Sequence, residues 1–267
     1  MDTSALQAKA AQLRKDVARM IGPGKVGHLG GSCSLADIVT VLYYDVMRVD
    51  PRRPDWSERD WFILSKGHSA LIQYAALGDL GYYPKEEQNT LKMLGSRLQG
   101  HPDMRKVPGV EANTGSLGQG LSISAGIAAG LRLDGGDARV YCCVGDGELA
   151  EGQIWEAVMA AGIFRLSNLT AIVDMNGLQA TGAVRDRFDT SPYREKFEAF
   201  RWHVLEVDGH DIDGLKVAFC LARQEKERPT VLLAKTVKGK GFDFAENVVS
   251  FHNGVMTQEQ FDQAMQA

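Results

Sequence analysis

Five short β-branched or apolar runs recur along the chain: Trp61 to Leu64, Val140 to Val144, Leu169 to Val173, His203 to Val207 and Thr230 to Ala234. Most lack the polar alternation of a strand with one face in water, and helix-like segments separate them. A strand buried on both faces reads as a continuous apolar run, and parallel strands joined by helices are the arrangement that buries them so. The expected fold is therefore α/β, a doubly wound, mostly parallel sheet with helices on both faces. With 267 residues, 44% of them apolar, and no repeat or Pro/Ser linker, residues 1–267 read as one large domain. Ligands in such sheets bind beyond the carboxyl ends of the strands, where Gly-rich loops enter helices.

Met1 to Ile21 carries Leu6, Ala10, Leu13, Val17 and Met20 at helical intervals with charges between them, a packed helix rather than a signal peptide. No stretch approaches the roughly 20 apolar residues of a membrane span. A formal charge of -4 leaves no basic excess for a nucleic-acid backbone. Cys33, Cys142, Cys143 and Cys220 have neither C-x-x-C nor zinc-type spacing and read as reduced core residues. Together these features point to a cytoplasmic protein with no membrane or nucleic-acid partner. Thr257 to Ala267 reads as a closing helix begun by a Thr cap with Glu259 nearby. Two long stretches, Gly81 to Gly115 and Thr236 to Gly254, read as functional loops.

The most informative stretch is Val140 to Val144 running into Gly145-Asp146-Gly147-Glu148 and then a helix from Glu151. Glycines let backbone approach a ligand, and a helix start offers N–H groups to an anion. A carboxylate beside a phosphate repels it unless a cation lies between them, so Asp146 makes sense as a magnesium ligand. After the next run come Asn176-Gly177-Leu178, with 28 residues (148–175) separating Gly147 from Asn176. The Asn176 amide oxygen and the Leu178 carbonyl are the further donors. Asp-Gly and Asn-Gly turns are each common alone; their pairing after two consecutive buried strands favours the metal reading.

This pattern resembles the thiamine diphosphate signature, shared by pyruvate decarboxylases, acetohydroxyacid synthases and 2-oxoacid dehydrogenases. The histidines narrow it. A lone His is more often structural, but four of six sit in glycine- or proline-containing loops: Gly27-His28-Leu29-Gly30-Gly31, Ser65-Lys66-Gly67-His68-Ser69, Gly100-His101-Pro102 and Phe251-His252-Asn253-Gly254. Moving protons among hydroxyls needs groups that titrate near neutrality, as unperturbed imidazole does. With Asn113 to Gly120 and Lys235 to Gly241, these contexts closely resemble transketolase over nearly the whole chain.

That resemblance implies the diphosphate-binding domain of the thiamine-diphosphate fold and roles for particular residues. His28 and His252 would lie near the sugar hydroxyl deprotonated during C–C cleavage, His252 also against the cofactor, and His101 near the substrate's terminal hydroxyl. His68 would contact the diphosphate, Gly115, Ser116 and Leu117 line the cofactor, and Gly147 offer its N–H to a phosphate. Asp146, Asn176, which also meets the cofactor, and the Leu178 carbonyl would hold Mg2+, with Ca2+ or Mn2+ as substitutes. Glu151 and Glu156 match carboxylates that couple two sites across a subunit interface, though first-turn acids are also favoured by the helix dipole alone. Leu29 stands where many transketolases have Pro, and Asn253 separates His252 from Gly254. His203 and His210 are unassigned.

In transketolases the glutamate that activates the cofactor and the arginines that grip a sugar phosphate belong to a second domain, and this sequence ends where that domain would begin. The resemblance thus implies the N-terminal subunit of a split transketolase, transferring a two-carbon ketol unit from a ketose or ketose phosphate to an aldose or aldose phosphate. A C-terminal transketolase subunit would supply the pyrimidine-binding domain and the activating glutamate, in an α2β2 heterotetramer. Pentose phosphate ketoses are the default donors by resemblance, with apulose phosphate, a sulfo-sugar or another ketose as alternatives. Alternatives are the α-subunit of a 2-oxoacid dehydrogenase, against which the His28, His68 and His101 contexts argue, and a non-catalytic cofactor-binding module, which could dispense with His28 and His101. No strand leads into Gly-x-Gly-x-x-Gly, so a nicotinamide site is disfavoured.

Overall fold

In the computed structural model, which describes residues 1–266, the chain opens with α1 (Thr3–Ile21), β1 (Val26–Gly27), α2 (Leu29–Ser34), α3 (Ala36–Val41), β2 (Trp61–Leu64) and α4 (Ala70–Leu80). It continues through α5 (Gln119–Leu133), β3 (Val140–Gly145), α6 (Gly152–Ile163), β4 (Leu169–Met175), β5 (Leu178–Gln179), β6 (Gly182–Ala183) and α7 (Tyr193–Ala199). β7 (His203–Asp208), α8 (Ile212–Gln224), β8 (Thr230–Lys235), β9 (Gly254–Val255) and α9 (Gln258–Gln266) complete it. Five strands form a wholly parallel sheet in the order β2-β3-β4-β8-β7.

The unbroken apolar runs have the expected cause. Successive strand residues point to opposite faces, and both faces are covered. Phe62, Leu64, Tyr141, Cys143, Ile172 and Leu232 enter the core built with α1 to α4 and α8. Ile63, Cys142, Val144, Ala171, Val173 and Val231 enter the core built with α5, α6 and the Phe197–Trp202 region. The adjacent Cys142 and Cys143 thus serve different cores. β7, at the sheet edge, is the least covered strand of the sheet: of its residues only Val204 is buried, and Glu206 and Asp208 are exposed.

The five apolar runs coincide with the sheet strands, which extend one or two residues further, to Gly145, Met175, Asp208 and Lys235. α1 buries Leu6, Ala10, Leu13, Val17 and Met20. Asp2 caps it, accepting the Ala5 N–H at 2.8 Å. At α9, Thr257 Oγ1 accepts from Gln260 N (3.1 Å) and Gln260 Oε1 accepts from Thr257 N (3.0 Å), so the reciprocal cap uses Gln260 rather than Glu259. The Gly81 to Gly115 loop contains a 3-10 segment, Lys85–Thr90. One expectation fails: Cys220 is exposed on α8, outside the two cores that hold the other three thiols. Among the described residues no helix is long and apolar enough to cross a membrane.

Candidate active site

The chain order of the sheet reverses where β8 lies beside β4 and β7 beyond it, so loops at the carboxyl ends diverge and leave a cleft. A cavity of about 410 Å³ opens there. It is lined by His28 before α2, Lys66 and His68 after β2, Gly115 and Leu117 before α5, and Gly147 after β3. Asn176 and Leu178 after β4, Lys238 after β8 and His252 complete the wall.

The histidines converge. The His28 ring lies 5.3 Å from His68, 5.7 Å from His252 and 6.3 Å from His101, centroid to centroid, and His68 lies 4.9 Å from His252. Asn253 therefore does not displace His252 from the site. His101 stands outside the cavity wall, its carbonyl accepting from Tyr74 Oη at 3.1 Å. Titration near neutrality, expected from unperturbed imidazole, does not hold for the chain by itself. Burial, followed by the charge of Lys92, lowers His28 to about 4, and burial followed by Lys238 lowers His252 to about 4. Burial, then Lys66, drives His68 far down, while burial and Lys92 also lower His101. All four are neutral at pH 7. Their neighbours are cationic, so an incoming anion would raise these values again.

Asp174, whose role the sequence did not disclose, organises the floor. Fully buried at the end of β4, it accepts from Lys66, from Thr236 Oγ1, from Ser34 Oγ at 2.7 Å and from Asn176 Nδ2 at 3.0 Å. Burial opposes its charge, but Lys66 holds its carboxyl below the usual range; Asp174 in turn raises Lys66 against the same penalty. The Asn176 amide is thereby oriented, its nitrogen toward Asp174 and its oxygen accepting from Leu178 N at 3.1 Å.

Asp146 lies behind Gly147. Its Oδ1 accepts from Gly147 N at 2.8 Å and its Oδ2 from Gly177 N at 2.6 Å, tying the two loops together. In this structure the Gly147 N–H thus faces Asp146 rather than the cavity. Only 6% exposed, Asp146 pairs with no cation among the described residues; burial, then Asp174, raises it to about 6. A buried carboxylate so placed is costly unless a cation joins it. The Leu178 carbonyl accepts from Lys238 Nζ at 3.0 Å, so a positive charge already sits on one of the donors. Lys238 is lowered to about 8 by burial and then by Lys66. Among the described residues no three His, Cys, Asp or Glu side chains gather as a metal site. Carboxylate, amide oxygen and carbonyl form an all-oxygen set instead, which suits a hard cation such as magnesium. His28 Nδ1 and His252 Nδ1 are buried with no partner among the described residues, as polar atoms awaiting a ligand would be.

Other expected residues fall less centrally. Ser116 is exposed and does not line the cavity, although Gly115 and Leu117 do. Glu151 and Glu156 are exposed on α6, at its N-cap and near its first turn. Lys66, Glu148 and Lys238 were visible only as members of motifs. Glu148 is buried and accepts from Ser65 Oγ (2.5 Å), Gly118 N (2.8 Å) and Gly145 N (3.0 Å), fixing three loops to one another.

Close packing at Gly30 joins the lobes of the site. A Cβ there would meet the Phe251 carbonyl at 2.9 Å and Lys238 Cγ at 3.0 Å, whereas one on Gly126 in α5 meets nothing within 4 Å. Gly30→Ala is expected to destabilise the chain by about 1–3 kcal/mol through overpacking. Gly126→Ala should stabilise it by up to about 1 kcal/mol through helix propensity. Urea denaturation of both variants checks the contrast, and equal shifts of one sign would refute it.

Fold and cleft define an α/β protein with a cleft, lined by two lysines and three histidines, at the carboxyl edge of a parallel sheet. Residues 7–267 match the family model of the transketolase, thiamine diphosphate binding domain, and the chain belongs to the transketolase family. It is 41% identical over 260 residues to the 6-deoxy-6-sulfo-D-fructose transketolase subunit SqwG of Clostridium sp. (strain MSTE9), covering 97% of this chain and 94% of that protein. It is 38% identical over 265 residues to one subunit of the apulose-4-phosphate transketolase of Phocaeicola vulgatus, covering 99% and 94%. The transketolase of Leishmania mexicana superposes with a TM-score of 0.93 at 32% identity, over 99% of this chain and 41% of that one.

Proposed function

We propose that the chain is the N-terminal subunit of a two-chain transketolase that moves a two-carbon ketol unit from a ketose or ketose phosphate to an aldose or aldose phosphate. The observation that carries this reading is the meeting, in one cleft, of neutral His28, His68 and His252, cationic Lys66 and Lys238, and the oxygen donors Asn176 and Leu178 with Asp146 behind them. Thiamine diphosphate, when bound, supplies an electron sink for breaking and remaking a C–C bond beside a carbonyl. Asp146, Asn176 and the Leu178 carbonyl hold magnesium, and Lys238 and Lys66 offset the diphosphate charge with His68 beside them. Gly115 and Leu117 form the wall against the cofactor, with the exposed Ser116 between them in the chain, and Gly147, its N–H held by Asp146, stands beside the diphosphate. Neutral His28 and His252 each have a ring nitrogen free to take a proton from a sugar hydroxyl, and His101 meets the far hydroxyl at the rim.

The two relatives that are themselves subunits are covered over 94% of their length and the Leishmania transketolase over 41%. This supports a partner chain, and we propose that it brings the pyrimidine-binding domain and its activating glutamate in a cytoplasmic α2β2 assembly, with Glu151 and Glu156, both exposed on α6, at a subunit interface. The test is ketol transfer in mixtures of this chain, a C-terminal transketolase chain, thiamine diphosphate, magnesium and a panel of ketose donors. Transfer that needs both chains is expected. A chain that binds the cofactor but supports no transfer with any partner or donor would sink the proposal.

The acid limb follows from Asp146. Its folded pKa is raised above the usual 3.8, so the metal-free native state holds this proton more tightly than the unfolded chain. That contribution to stability is therefore present at low pH and lost as pH rises from about 4 to about 6. Magnesium needs the ionised form, so its affinity should fall about tenfold per pH unit below pH 6 and level off above it. Magnesium titrations from pH 4.5 to 8 measure this, and a flat profile would contradict it.

A further inference from the structure

His210 lies outside the cleft, yet its ring is held on both sides. β7 ends at Asp208, and in the turn that follows Asp208 Oδ1 accepts the His210 N–H at 2.9 Å. His210 Nε2 accepts the Val237 N–H at 2.9 Å. A ring nitrogen that accepts an N–H carries no proton, so the proton of the neutral ring is on Nδ1. Nδ1 faces Asp37 Oδ2 at 2.7 Å and donates to it. Asp37, buried in the first turn of α3, is held in turn by Arg14. The chain of contacts runs Arg14, Asp37, His210, Val237, and the last of these precedes Lys238.

The segment around Lys238 is anchored on either side. Thr236 N donates to Met175 O at 3.2 Å and Thr236 Oγ1 donates to Asp174, while Gly239 N donates to Gly30 O at 3.0 Å. A Cβ on Gly209 would come within 2.5 Å of Thr236 Cγ2, so the turn carrying His210 lies directly on this segment. Val237 N–H has His210 as its acceptor, and Lys238, only 2% exposed, must leave the backbone at the right angle to reach the cleft. We infer that His210 is a positioning residue: oriented by Asp37, it fixes the Val237 amide so that Lys238 presents its ammonium to the anionic part of the bound ligand. The inference rests on the cofactor reading above, because it acts through Lys238.

A double-mutant cycle separates this role from a merely structural one. Magnesium thiamine diphosphate is titrated into the chain with its C-terminal partner, using wild type, His210→Ala, Lys238→Met and the double variant. His210→Ala should weaken binding about tenfold, as loss of a residue that orients a ligand-binding group does. In the Lys238→Met background it should cost less than about twofold, because two residues acting through one contact are not additive. His210→Gln, whose amide can accept from Val237 N and donate to Asp37, should restore most of the affinity. Equal losses in both backgrounds, or a Gln variant as weak as Ala, would overturn the inference while leaving the cofactor reading intact. No binding by the unsubstituted proteins would overturn both. Independently of any variant's folding, ¹⁵N shifts of His210 should show the Nδ1-protonated tautomer, and an Nε2-protonated ring would also overturn it.

Discussion

Replacing Asp146 by alanine should weaken magnesium-dependent thiamine diphosphate binding by at least about a hundredfold, since residues that merely orient metal ligands already cost 10–100-fold. Asp146 is the one anionic member of the proposed donor set, and its carboxylate bridges Gly147 N and Gly177 N, the loops that carry the rest of the site. Asp146→Asn is the sharper variant. It keeps the shape but removes the charge, so one of the two N–H groups loses its acceptor, while the cost of an unpaired buried charge disappears. These effects oppose each other in the metal-free chain, which should melt within a few degrees of wild type. Binding of the cofactor with magnesium should nevertheless be lost. Unchanged magnesium dependence in a folded Asp146→Asn chain would remove Asp146 from the metal site.

The second large effect concerns stability. Asp174→Ala should destabilise the chain by about 3–5 kcal/mol, the range for breaking a buried ion pair by removing one partner. The Lys66 ammonium, 3% exposed, would be left without its counter-ion, and Ser34, Thr236 and Asn176 would lose an acceptor. Lys66→Met leaves a buried carboxylate instead and should cost a similar amount. Combining Lys66→Met with Asp174→Asn should cost clearly less than the sum of the single changes, because no unpaired buried charge remains. Urea unfolding at pH 7 measures all of these. A loss below about 1 kcal/mol for Asp174→Ala would mean that Lys66 finds water or another partner, and that the pair does not organise the floor of the cleft.

The strands were legible because coverage of both sheet faces makes each one a continuous apolar run, and the pattern stops where the chain turns polar to serve the site. That is why Asp174, though still in β4, falls beyond the run ending at Val173. Asp174 itself was missed because a charged residue at a strand end reads as a solvent-facing turn; nothing in its spacing discloses that Lys66, 108 residues earlier, neutralises it. The histidine loops could be read because glycine marks close approach, and His28, His68 and His252 do meet. Their protonation could not be read, since it depends on burial and on Lys92, Lys66 and Lys238 brought near by the fold. Cys220 fails for a related reason: one thiol on an amphipathic helix shows no preference for a face until the helix is packed.

The most direct test of the central claim is calorimetric titration of thiamine diphosphate into the purified chain, with and without magnesium and with and without a C-terminal transketolase chain. The account predicts binding that requires magnesium and strengthens markedly when the partner is present. A folded chain that takes up no cofactor under any of the four conditions, or binds it equally well without magnesium, would contradict it.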